Sequence, residues 1–140
     1  ETFRDNLAAN AVVHASNSEE GHEPQNIIKQ ERIKYWRPQS GHEQAVLEID
    51  LGTTHIFDRI VLGECIRQGQ RIESFVLSYH NGNKWEEFFE GTIIGYKRIC
   101  RFPELKARKL RLTITQSRIY PTLAQFEVYL SSKRERKHEK

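Results

Sequence analysis

The chain has 140 residues, with 22 Lys and Arg against 19 Asp and Glu and a formal net charge of +3 at pH 7. That length gives one domain with room for a core. Much of the positive excess lies in the tail SSKRERKHEK, so the body is near neutral and lacks the basic footprint of a nucleic-acid binder.

Taken in order, Glu1 to Asn10 is a lead-in, and Val12 begins a short strand that runs into the polar loop Ser16 to Gly21. Pro24 suits the first turn of a helical segment extending to Ile33, with Ile27 and Ile28 on one side. Tyr35-Trp36-Arg37-Pro38 precedes a turn at Gly41. Ala45 to Leu51 alternates as a strand, and Gly52 is expected to end it. The centre of the chain is Phe57 to Trp85, where the apolar run Ile60-Val61-Leu62 and the alternating Phe75, Leu77 and Tyr79 read as two strands. The loop between them carries Glu64-Cys65-Ile66-Arg67-Gln68-Gly69-Gln70-Arg71, charged and amide groups held at both ends by strands. Asn81-Gly82 predicts a tight hairpin with positive φ at both residues, and Trp85 opens the next strand. Strands over Glu86 to Ile94, Lys97 to Phe102 and Arg108 to Thr115 follow, the last with Leu110, Leu112 and Ile114 inward. Phe126, Val128 and Leu130 close the domain.

This is an all-β pattern of about eight short antiparallel strands, spaced as in a β-sandwich. The sandwich is expected over 1–130 and a charged, disordered tail over 131–140. No apolar run is long enough to span a bilayer. The chain begins at Glu1 without a signal-peptide pattern and holds no Met, which reads as a processed or excised fragment.

Catalytic patterns are missing. The six histidines are scattered with no metal-ligand spacing, and neither a nucleophile elbow nor a phosphate-cradling glycine loop occurs. Neighbouring carboxylates such as Glu86 and Glu87 would point to opposite faces of a strand. An enzyme on this chain alone is not expected. Cys65 and Cys100 have no metal-type spacing and read as buried thiols that do not bridge.

The order of the pieces resembles the discoidin, or coagulation-factor 5/8 type C, jelly-roll sandwich and the family 32 carbohydrate-binding modules within it. The resemblance rests on Asn6-Leu7-Ala8, Ala15-Ser16, Tyr35-Trp36, Ile49-Asp50-Leu51-Gly52, Lys84-Trp85, the run Ala107 to Leu112, and Ala124 to Tyr129. Gly69-Gln70-Arg71-Ile72 followed by Thr92 to Ile99 is similar to the module on the C-terminal side of bacterial α-L-fucosidases. The resemblance implies a glycan partner bound by loops at one end, a covalently attached catalytic domain, and a secreted, periplasmic or cell-surface location. The alternative is a module that packs on a catalytic domain without binding sugar. Phospholipid binding would need exposed apolar spikes, for which only Ile66 and Ile119 offer themselves.

Sugar recognition needs planar polar groups for vicinal hydroxyls and a flat apolar surface for the C–H face of the ring. Arg67 aligns with an arginine of galactose-binding members, or else packs along the sandwich end. Gln68, Gln70, Glu19 and Glu20 add loop donors and acceptors. Arg37 stands where a histidine often contacts the sugar. Tyr120 is the stacking candidate, whereas Trp36 reads as core. Tyr96 and Arg98 belong to the fucosidase-like stretch and mark either a sugar contact or a contact with the parent enzyme. The family commonly holds a structural Ca²⁺, but Lys29 and Gln125 stand where its acidic ligands belong, so no cofactor is expected.

Overall fold

Period-two alternation produces six antiparallel strands in the computed structural model of the chain, which describes residues 5–29 and 34–131. They are β1 (Val12–Ala15), β2 (Ala45–Gly63), β3 (Ile72–His80), β4 (Trp85–Gly91), β5 (Arg98–Ser117) and β6 (Gln125–Tyr129). Two short 3-10 turns, Pro24–Ile28 and Ile66–Gln68, are the helical elements among the described residues. The helical segment expected to Ile33 is thus seen only to Ile28, and residues 30–33 lie outside the described residues.

The sequence suggested about eight short strands; β2 and β5 each merge two of these. Gly52 does not end a strand. Leu51 to Thr54 instead stand opposite Arg108 alone, so β2 bulges and bends there. Pro103 does not end one either. Phe102 to Glu104 stand opposite Asp58 alone, which puts the residue with no backbone N–H where the ladder needs none. Each long strand thereby passes from one layer to the other. The first half of β2 pairs with β1 and the second half of β5, which continues to β3 and β4. The second half of β2 pairs with β6 and the first half of β5. Counted by halves, five strands face three, a jelly-roll sandwich.

The core fills the space between the layers. Leu47, Leu112 and Leu77 form one cross-strand row, and Ile49 faces Leu110. Opposite them lie Ile60, Leu62, Phe126 and Val128, all fully buried. Each such side chain contributes about 1.5–3 kcal/mol on burial. Trp36 joins this core, completely buried, with its indole N–H held by Asn17 O at 3.0 Å and Ser18 Oγ at 3.2 Å.

Two details differ from expectation. The β3–β4 hairpin has a four-residue loop, with His80 facing Trp85. Gly82 has φ 102° but Asn81 does not have positive φ; its Oδ1 instead accepts from the N–H groups of Asn83 and Lys84, making an Asx turn. Ser131, assigned to the tail, is buried, and its N–H and hydroxyl both donate to the Asp58 carboxylate, at 2.9 and 2.6 Å. The remainder of the expected tail lies outside the described residues.

The candidate loop-end site

The pairing pattern brings four connections to one end of the sandwich: both ends of the one joining β1 to β2, and those joining β2 to β3, β4 to β5, and β5 to β6. Backbone bonds tie them together. Glu19 N–H donates to Arg37 O at 2.9 Å, and Arg118 N–H to Arg71 O at 2.8 Å. Cys65 N–H donates to Thr122 Oγ1 at 3.2 Å. The β3–β4 hairpin and the two bends lie at the opposite end.

A buried carboxylate organises this end. Glu64, 1% exposed, follows directly on β2. Its Oε1 accepts from the N–H groups of Arg71 and Ile72, at 2.7 and 3.2 Å, and its Oε2 from Gly95 N–H at 2.8 Å. Burial raises its pKa above the ordinary carboxylate value, and the three N–H donors pull it back. The two stretches quoted above, Gly69 to Ile72 and Thr92 to Ile99, are thus joined through this one side chain.

Beside it, Tyr120 is half-buried under two arginines. The Arg37 guanidinium carbon lies 3.8 Å from the Tyr120 ring centroid and that of Arg71 lies 4.4 Å from it. Arg71 also donates from Nη2 to Gln68 Oε1 at 3.3 Å, and Arg37 donates from Nε to Pro38 O at 3.0 Å and from Nη2 to Ser40 Oγ at 3.2 Å. The Tyr120 phenol is lowered from its usual value, first by the hydrogen bond to Arg71 and then by the charge of Arg37. Tyr35, against which His22 stacks with ring centroids 4.4 Å apart, is raised by burial. Just before Tyr120, Ile119 holds φ at 62°, a left-handed conformation that β-branched residues avoid.

The cluster therefore unites Arg37, Tyr120 and Gln68 from the sequence-derived set. Glu19 adjoins it through the backbone. Arg67 sits exposed in the short turn with Gln68, and Gln70 is exposed with its carbonyl accepting from Arg118 Nη2 at 2.6 Å. Glu20 is exposed and holds no bond to the cluster. Tyr96 and Arg98 stand apart from Tyr120. Tyr96 is 57% exposed on the β4–β5 loop, while Arg98 donates to Ile93 O at 2.8 Å and packs toward the rings of Phe75 and Phe89. Sequence reasoning gave no role to Arg71, Tyr35 or His22. Arg71 had a signal, its place in the fucosidase-like stretch; the other two are recognisable only from their stacking.

Gln125 and Lys29 stand where the resemblance puts the acidic ligands of calcium. Gln125 gives Nε2 to Glu127 Oε2 at 3.0 Å, and its Oε1 is buried without a hydrogen-bond partner. Lys29, exposed at the end of the first 3-10 turn, brings a cation.

Comparison with known proteins settles the family. The F5/8 type C domain profile matches residues 12–127. The chain belongs to the F5/8 type C domain family. It is a non-catalytic type of domain, of jelly-roll β-sandwich architecture. An α-L-fucosidase 1 of Arabidopsis thaliana is 31% identical over 137 residues, covering 91% of this chain and 27% of that protein. The domain superposes on the Ruminococcus gnavus GH29 fucosidase in complex with fucose with a TM-score of 0.87 and 33% identity, over 94% of this chain and 28% of that one. It also superposes on the family 32 carbohydrate-binding module of Clostridium perfringens NanJ in complex with galactose, TM-score 0.82 and 14% identity, over 92% and 99% of the two chains, a likeness of fold alone. The chain spans about a quarter of the length of the curated relatives it matches.

Proposed function

We propose that this domain is a non-catalytic carbohydrate-binding module that holds an attached α-L-fucosidase-type glycoside hydrolase near its glycan, at the cell surface or outside the cell. The observation that carries this reading is the loop-end cluster, where guanidinium N–H groups, the Gln68 amide and the Tyr120 ring meet on one end of the sandwich. Planar donors beside aromatic carbon are what a sugar ring demands. Arg67 and Gln70 flank the cluster as further donors, with Glu19 and Glu20 as acceptors. The gain for the attached enzyme is effective concentration rather than chemistry. The names of the relatives support the fucosidase setting, and the galactose complex of the NanJ module supports sugar as the ligand class.

The test is titration of the isotope-labelled chain with fucose, galactose and oligosaccharides that contain them, followed by NMR. Shifts at Arg37, Arg67, Gln68, Arg71 and Tyr120 are expected. Shifts confined to the Asn81-Gly82 end would overturn the placement.

A second reading is a module that packs on the catalytic domain and binds no sugar. It is favoured by Ile93 and Tyr96, 47% and 57% exposed on a loop that Glu64 pins in place. No shift with any sugar would favour it.

A further inference from the structure

We propose that Arg37, Arg71 and Tyr120 form a subsite for an anionic group, the carboxylate or sulfate of a charged glycan; this rests on the glycan-binding reading and names the ligand class. Two guanidiniums lie against one ring, at 3.8 and 4.4 Å from its centroid. Among the described residues no carboxylate bridges either of them, in contrast to Arg108 and Arg111, which are paired with Asp50 and Glu48 on the sheet face. Glu64 is the nearest buried acid, but its oxygens are turned to three backbone N–H groups and offset the charge of Arg71 only in part. The carboxylates of Glu19 and Glu20, on the adjoining loop, bond to neither arginine. The end therefore holds two close cations that no ion pair among the described residues offsets.

Both arginines also keep donors free. Among the described residues, Arg37 donates to Pro38 O and Ser40 Oγ, Arg71 donates to Tyr120 O at 3.5 Å and Gln68 Oε1, and the Tyr120 phenol draws on both. A guanidinium has more N–H groups than these bonds consume, and stacking on a ring leaves them available in its plane. Neutral hydroxyls could use those donors. An oxyanion uses them about twice as strongly and also relieves the cation–cation repulsion. The lowered Tyr120 phenol reports the same positive potential at that point. Tyr120 thus serves less as a platform open to a sugar face than as the ring that fixes the two guanidiniums.

The experiment compares methyl galactoside with methyl galacturonide, identical but for a carboxylate at C6, and adds galactose 6-sulfate and inorganic sulfate. Chemical-shift titration of the 140-residue chain reads the affinity and the location. Galacturonide or the sulfated sugar is expected to bind about tenfold or more tightly than galactoside, with shifts at Arg37, Arg71 and Tyr120, and with an advantage that shrinks as NaCl is raised. Whichever of the two is favoured identifies carboxylate or sulfate as the anion. Arg71→Gln should remove the advantage, lowering affinity for the anionic sugar by a larger factor than affinity for galactoside. Arg37→Gln, which leaves the Glu64 lock untouched, provides the same test should Arg71→Gln fold poorly. Equal or weaker binding of both anionic sugars overturns the subsite and leaves the glycan-binding reading standing. Inorganic sulfate shifting these residues while no sugar does supports the anion site and sinks the glycan. No shift with any of the four overturns both.

Discussion

Glu64 and Gly95 hold each other reciprocally: Glu64 N–H donates to Gly95 O at 2.8 Å, and Gly95 N–H donates to Glu64 Oε2 at 2.8 Å. Gly95, at φ 67°, takes a turn that a side chain would strain. The same carboxylate receives Arg71 and Ile72 at the start of β3, so one side chain fixes both loops of the candidate site. Glu64→Ala should leave three N–H groups without acceptors and destabilise the fold by about 3 kcal/mol or more. Thermal melting checks this, and a change of less than about 1 kcal/mol would contradict the role.

The same residue gives a pH dependence. Burial raises the Glu64 carboxyl above its ordinary value of 4.5. An acid whose folded pKa exceeds its unfolded value binds more protons in the folded state within that window. Its contribution to stability therefore declines as pH rises from the ordinary carboxylate range through the raised pKa, and is flat outside that window. Glu64→Gln should remove this component from a plot of stability against pH. An unchanged plot would show that the carboxyl is not raised.

Arg67 is exposed in its short 3-10 turn. Arg67→Ala should leave the melting temperature unchanged while abolishing measurable sugar binding, which is expected to be weak in the wild type, on the order of 0.1–10 mM. Tyr120→Ala should weaken binding by a smaller factor. It should also cost about 1 kcal/mol of stability, because both arginines lose the ring they cover. Undiminished binding by Arg67→Ala would remove that residue from the site.

We propose that the calcium site of the family is lost here. Gln125 offers a neutral amide and Lys29 a cation, neither of which replaces an acidic ligand. EDTA should leave the melting temperature where it was. A drop on chelation that Ca²⁺ restores would reverse this conclusion.

Cys65 and Cys100 are buried, unbridged thiols. Cys100 faces Ile60 in the β2–β5 ladder, and burial pushes its thiol up to about 12, so little reactive thiolate forms. Alkylation of the native chain should be slow. After denaturation, mass spectra with and without reductant should agree; a two-hydrogen difference would reveal a disulfide.

Alternation alone fixed which residues face the core: Leu110, Leu112 and Ile114 point inward as their period requires, because a strand exposes alternate side chains to opposite faces. The burial of Trp36 was legible from its bulk. Where strands end was not. Gly52 and Pro103 are signals for a break, and they serve equally well in a bulge; only pairing with a distant strand decides between the two. The candidate site divides in the same way. Its loops carried recognisable polar residues, so Arg37, Gln68 and Tyr120 could be named from the chain. That Arg71 turns onto Tyr120, and that Glu64 holds Arg71 and Gly95 together, depends on β2 ending beside the start of β3 and the loop after β4. Sequence determines each side chain's chemistry. The meeting of groups 31 residues apart, as in Glu64 and Gly95, is set by closure of the sandwich.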